Sequence, residues 1–179
     1  MATLIRNRRP ATDSWRPLDD PQAWLAVGED GFVPDFPAAG GLIVPLALWR
    51  LRREELLDRR GPVGVQLGAG EGAETIAADL EHLALVAVHF PKFSDGRGLS
   101  TARLLRERYG YEGEVRATGD VLRDQLPFLE RCGFDAFALR DDQDPAAALA
   151  AFAELSDAYQ GTVAEPLPLF RRRLAATAA

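Results

Sequence analysis

The stretch FPKFSDGRG, residues 90–98, sets Lys92, Asp95 and Arg97 around two glycines, Gly96 and Gly98, just ahead of a helical run. Two cations, glycines that let backbone N–H groups approach closely, and the positive end of a helix suit a small oxyanion or a phosphate. Asp95 opposes that chemistry unless it orients Arg97 or caps the turn. The plain alternative is an Asp-Gly turn with Arg97 paired to Asp95 on the surface. Downstream, RATGDVLRDQ adds Arg116, Asp120, Arg123 and Asp124 as a charged set near the same mouth. Asp120 is placed to cap a helix. A network in which Asp120, Asp124 and Arg97 hold one another is the alternative to simple capping and solvated charge.

A second glycine cluster, LGAGEGAE, matches the dinucleotide spacing G-x-G-x-x-A at Gly68, Gly70 and Ala73. That fingerprint also wants an acid about twenty residues on. The corresponding stretch reads His89, Phe90, Pro91, Lys92, and Glu71 would repel a pyrophosphate. A glycine-rich turn is favoured, and NAD(P) is disfavoured. Cys132 is the single cysteine, so a four-thiolate iron–sulfur cluster is excluded from this chain alone. Its expected place at a helix C-terminus raises the thiol pKa and argues against a reactive thiolate. His82 and His89 are too few for a zinc or non-haem iron centre without carboxylates. No metal is implied, and His89 reads as a core or rim residue. Tyr109, Tyr111 and Tyr159 read as packing residues with a polar tip, and the arginines of LRRE and RERYG as helix-surface charge.

These loops need a scaffold. Apolar runs at residues 62–67, 84–90 and 134–139 have strand length, with EVRAT as a shorter one. Between them AETIAADLEHL, the run from residue 97 to Tyr109, and GDVLRDQLPFLERCG read as helices, the last with Leu122, Leu126 and Leu129 on one stripe. DPAAALAAFAELSDAYQG reads as a helix opened by Asp144 with Pro145 in its first turn. Alternating strands and helices imply an α/β fold with a mainly parallel sheet and right-handed crossovers. The chain suffices for a doubly wound sheet or a half-barrel. A full eightfold barrel needs roughly 200 residues or more, so closure would require a homodimer. In either fold, ligands gather at the C-terminal ends of the strands.

The 179 residues, 47% hydrophobic and 27% charged, describe one globular unit. Residues 1–40 read as an irregular cap with one or two short strands, 41–162 as the α/β domain and 163–179 as a tail. Arg171, Arg172 and Arg173 in that tail read as a solvated helix end. A net charge of −6 offers no global attraction to nucleic acid or an anionic membrane. The basic start, MATLIRNRRPATDSW, has no apolar segment behind it, and no run reaches membrane-spanning length. The expected location is the cytoplasm.

The pieces DGRG, ARLLRERYGY, GDVLRDQL and RCGFDAF, together with LIVPLALW and AYQ, resemble a bacterial domain-of-unknown-function family, number nine hundred thirty-four. The resemblance runs from about Leu42 to Gln160 and does not include GAGEG. Members carry a label that makes them oxidoreductases of sulfite reduction, by association with genes for a sulfite reductase haemoprotein. The resemblance therefore implies an accessory or small subunit of assimilatory sulfite reduction that works beside that haemoprotein, delivering electrons to it or assisting its assembly. It implies no catalytic residue. Sulfite reduction itself needs a haem-type centre and a cluster, which one cysteine and two histidines cannot supply. A flavin over the strand ends, its phosphate at Lys92 and Arg97, is compatible with the sequence, but no cofactor is required by it. A stand-alone α/β enzyme acting on an oxyanion or phosphorylated substrate, and a non-catalytic interaction protein, are the other two readings.

Overall fold

The computed structural model describes residues 3–18, 24, 35–154 and 157–177. Eight strands form one sheet: β1 (Leu4–Arg6), β2 (Arg9–Ala11), β3 (Trp15–Pro17), β4 (Gly41–Pro45), β5 (Val63–Leu67), β6 (Leu85–Phe90), β7 (Glu114–Gly119) and β8 (Ala136–Ala138). Their spatial order is β2-β1-β8-β7-β6-β5-β4-β3. From β3 to β8 every strand lies parallel to its predecessor, and β1 runs antiparallel to both β8 and β2. Because the order never reverses, this is the half-barrel and not the doubly wound sheet. The N-terminal segment contributes three strands to it, one more than the sequence suggests. Residues 19–23 and 25–34 of the expected cap lie outside the described residues.

The curl follows from connectivity. β2 and β3 are the two edges of the sheet, yet only residues 12–14 join them. Four Cα steps reach at most about 14 Å, whereas eight flat strands spaced about 4.8 Å apart would separate their edges by about 34 Å. Only a strongly rolled sheet lets so short a link cross. The β1–β2 hairpin turns at Asn7 and Arg8, both with positive φ (50° and 59°), the geometry of a two-residue hairpin loop. Arg8 is held there by a forked hydrogen bond to Glu130 (2.8 and 2.7 Å).

Rolling gives the sheet a convex and a concave face. Val44, Val65, Leu67, Val86, Val88, Val115, Ala117 and Phe137 belong to the main core. Against them lie α1 (Leu46–Leu51), α2 (Arg53–Leu57), α3 (Arg97–Glu107), α4 (Leu126–Arg131) and α5 (Pro145–Ala151), which contribute Leu48, Trp49, Leu56, Ala102, Leu105, Leu126, Leu129 and Ala148. Each fully buried aliphatic side chain here contributes about 1.5–3 kcal/mol before entropy is counted. A separate small cluster of Ile43, Leu85 and Ala87, with Trp15 against it, occupies the concave face. Strand register puts Ile43, Gly64, Leu85 and Glu114 in one concave row and Gln66, Ala87, Arg116 and Ala136 in the next.

Two expected helices are altered by tertiary contacts. AETIAADLEHL forms only 3₁₀ turns at Ala73–Thr75 and Leu80–His82. Thr75 turns its hydroxyl back to the Gly72 carbonyl, and Asp79 accepts from Trp49 Nε1 and Arg53 Nε, both at 2.8 Å. These anchors fix the segment against α1 and α2 in a path that a continuous helix could not follow. In GDVLRDQLPFLERCG the helix begins only at Leu126, after a 3₁₀ turn at Arg123–Gln125. Leu122 N donates to Gln125 Oε1 there, and Pro127 sits in the first helical turn. Asp144 does cap α5, accepting from Ala146 N and Ala147 N. That helix stops at Ala151, and residues 155–156 of its expected continuation lie outside the described residues. The tail carries α6 (Leu169–Thr177) and is tied to the body by Val163 N donating to the Arg131 carbonyl. Among the described residues no helix is long and apolar enough to cross a membrane.

Candidate functional site

The loops after β5, β6, β7 and β8 meet at the C-terminal edge of the sheet. Lys92 is exposed beside Phe93. Asp95 closes the turn into α3: its Oδ1 accepts from Arg97 N (3.2 Å) and Nε (2.9 Å), and its Oδ2 from Arg97 Nη2 (2.6 Å). These hydrogen bonds hold the Asp95 carboxyl down at about 2. Arg97 is thus neutralised by its own turn, and the place a ligand phosphate would take at this helix start is filled by Asp95. Gly96 has open room, but Gly98 does not, since a Cβ there would come within 2.7 Å of Val88 Cγ1 and 2.9 Å of Phe90 Cζ. Gly98 lets α3 sit directly on β6.

The GAGEG turn faces this loop across a cleft of about 240 Å³ lined by Gly70, Glu71, Glu74, Asp95, Arg97 and Thr101, among others. Gly70 adopts φ +94°, a turn conformation suited to glycine. Glu71 Oε2 accepts from Gly68 N at 2.7 Å, so the amide a pyrophosphate would use is already taken. Three carboxylates to one arginine make this cleft unsuited to phosphate.

The next loop is stapled to the first. Asp120 is not a helix cap. Its Oδ2 accepts from Phe93 N (2.8 Å) and its Oδ1 from Arg140 Nη1 (2.6 Å), so it turns to Arg140 rather than to Arg97. Gln125 Nε2 donates to the Phe93 carbonyl at 2.7 Å. Gly119, at φ +91°, makes the sharp exit from β7 that lets Asp120 N reach the Phe90 carbonyl. Arg140 in turn forks onto Asp142, whose carboxyl is held at about 2 by that arginine. Arg123 is engaged by Glu154, and its N–H donates to Gln143 Oε1; Asp124 is exposed beside it. Phe93 is therefore an aromatic ring 57% exposed on a backbone clamped at both its N–H and its carbonyl.

The concave face holds a larger cleft of about 410 Å³, lined by Asp13, Pro17, Ile43, Gln66, Arg116, Thr118, Gly119, Ala138 and Arg140, among others. Arg116 is 2% exposed. Its Nε donates to Glu114 Oε1 (2.7 Å) and its Nη1 to Asp13 Oδ2 (2.9 Å), while its Nη2 is buried with no partner. Gln66, Thr118, Asp13 and Arg140 are absent from the sequence-based site. The signal for Gln66, Arg116 and Thr118 was present: strands of a covered parallel sheet read as continuous apolar runs, and VGVQL and EVRATG break that rule.

The remaining candidates are structural. His89 sits half-buried at the rim, with Nδ1 3.5 Å from Thr118 Oγ1. Burial pushes the Cys132 thiol up, against weaker help from Arg103 and Arg131. Tyr111 is buried with its hydroxyl on the Leu83 carbonyl, whereas Tyr159 is 66% exposed. Arg106 is not surface charge: it donates to the carbonyls of Tyr111, Gly113 and Gly133 and to Asp135. Among the described residues no group of histidine, cysteine and carboxylates could hold a metal.

Comparison with curated proteins and with solved structures yields no match for either. A family model does match residues 64–170, from β5 into the first residues of α6, and so takes in Gly68–Gly72 but not LIVPLALW. On that match, covering more than half of its length, the chain belongs to the family described as bacterial protein of unknown function (DUF934).

Proposed function

We propose that the protein is an accessory component of assimilatory sulfite reduction, docking on a separate sulfite reductase haemoprotein through the C-terminal edge of its sheet. The pathway comes from the family resemblance. The observation that carries the docking reading is Phe93, an exposed aromatic pinned by Asp120 and Gln125 and bordered by the Asp95–Arg97 and Asp120–Arg140 pairs. Interface energy concentrates in rigid aromatic anchors ringed by polar groups, because little side-chain and backbone freedom is lost on binding. Complementary charge around such an anchor steers encounter and fixes orientation.

A single cysteine cannot hold a four-thiolate cluster, so in this reading the haemoprotein carries the reducing centre. The chain positions, assembles or helps to supply it. The test is co-elution of the purified protein with the haemoprotein on a sizing column, with wild type and Phe93→Ala. Wild-type complex formation lost in Phe93→Ala, at unchanged melting temperature, supports docking through this edge. No complex with wild type contradicts it.

A second reading is favoured by the concave cleft. A stand-alone small-molecule enzyme needs an unspent polar group at its binding site, and the half-engaged guanidinium of Arg116 is a better start for one than the neutralised Arg97.

A further inference from the structure

Arg116 has its planar fork only half used. Glu114 takes Nε. Of its two terminal nitrogens, Nη1 meets one oxygen of Asp13 and the buried Nη2 meets nothing. Asp13 does not supply the second oxygen: its Oδ1 is turned to Trp15 N at 3.0 Å. A buried guanidinium with an unmet N–H is costly, and paired parallel N–H groups are the preferred seat of a two-oxygen acceptor. Asp13 also differs from Glu114 in its mounting: it is 37% exposed on the short link between the sheet edges, whereas Glu114 is 11% exposed on β7.

We propose that the concave cleft is an oxyanion site and that Asp13 is its internal occupant. In this site a small tetrahedral or planar oxyanion displaces the Asp13 carboxylate and takes both Nη1 and Nη2 of Arg116. Gln66 on β5 and Thr118 on β7, with β6 between them, offer an amide and a hydroxyl along the same wall, and Arg140, already paired to Asp120 and Asp142, stands at the rim beside Asp141. The charge balance requires the exchange. Glu114 is shared between Arg116 and Arg6, whose Nη1 lies 3.4 Å from its Oε2, and Asp13 supplies a second negative charge, so with both carboxylates in place an added anion would meet repulsion. With Asp13 swung out, the incoming anion restores the count. The site competes with its own chain and holds its arginine covered when empty. It stands on this geometry and not on the pathway, so its failure and that of the docking reading are told apart by different assays.

The test is calorimetric titration of sulfite, sulfate, inorganic phosphate and acetate into the full chain, as wild type and as Asp13→Asn. Asparagine keeps an oxygen for Trp15 N and loses the charge that competes for Arg116. The expected result is that at least one of the four binds Asp13→Asn tenfold or more tighter than wild type, and that adding Arg116→Met abolishes it. If Arg116→Met fails to fold, Thr118→Val in the Asp13→Asn background serves, with at least a threefold loss expected. Binding that is absent from Asp13→Asn, no tighter than in wild type, or indifferent to these second changes overturns the proposal. Which of the four binds separates sulfur oxyanions from phosphate and carboxylate.

Discussion

Asp13 Oδ2 lies 2.9 Å from Arg116 Nη1, across the open side of the rolled sheet and 103 positions away in the chain. The contact exists because a three-residue link joins the two edge strands and must pass over the concave face. It ties the N-terminal strands to the middle of β7. It also leaves the buried arginine with an unmet donor, which an ordinary barrel interior does not hold. Small barrels fill their interiors with side chains. Here Gly64 and Ala87 keep the rows small, and polar Gln66 and Arg116 stand beside them.

Gly98 and Gly96 separate packing from turn chemistry within one motif. Gly98→Ala should destabilise by about 1–3 kcal/mol, since the new methyl would press on buried Val88 and Phe90 and push α3 off β6. Gly96→Ala, with Leu99 Cδ1 at 3.5 Å as its nearest neighbour, should be close to neutral. Urea midpoints of the two variants check the contrast.

Arg106 clamps two loops at once, with four acceptors shared between residues 111–113 and 133–135. Burial pushes the Asp135 carboxyl up, and Arg106, with the Val115 N–H, opposes that rise. Removing the arginine takes a donor from three carbonyls and the counter-charge from a half-buried carboxylate that keeps its hydrogen bond from Val115 N. Arg106→Ala should cost about 3 kcal/mol, and Arg106→Lys should recover little, because an ammonium cannot reach acceptors in the fork geometry. Chemical denaturation of both variants measures this.

Acid sensitivity should trace to Asp79. Burial alone would raise this carboxyl, but hydrogen bonds from Trp49 and Arg53 outweigh it and hold the group below its ordinary value of 3.8. A carboxyl depressed in the folded state adds stability that is complete above its unfolded value and is lost as pH falls through the folded one. The margin of wild type over Asp79→Asn should therefore be full at pH 7, about 1–2 kcal/mol, and shrink below about pH 4. Thermal melts of the two proteins at several pH values show whether it does. Asp95 and Asp142 are held lower, at about 2, but their arginine partners are exposed and screened by solvent.

How much of this was legible in the sequence depended on whether a feature is local. Apolar runs at residues 62–67, 84–90 and 134–139 became β5, β6 and β8 because a strand covered on both faces announces itself by composition. The Asp144–Pro145 start of α5 was legible because a cap is a contact between near neighbours. Asp95–Arg97 pairing was one of two readings of a short turn, and two residues of spacing suffice for it. The 3₁₀ path of residues 73–82 was not legible, since it depends on Asp79 meeting Trp49 and Arg53 from a different element. Asp13 carried no local mark at all: its role exists only once the sheet has rolled. Arg106 looked like helix-surface charge because three of its four acceptors are backbone carbonyls, which every sequence contains.

The docking account is tested most directly by sulfide production from the sulfite reductase haemoprotein and its physiological electron donor, with and without this protein. The account predicts a clear rise with wild type that is lost with Arg97→Ala, whose exposed ion pair should move the melting temperature by no more than about 2 °C. An unchanged rate with wild type would contradict the account. So would a rise that Arg97→Ala fully retains, or one lost only alongside a large thermal shift, which would make Arg97 a structural residue.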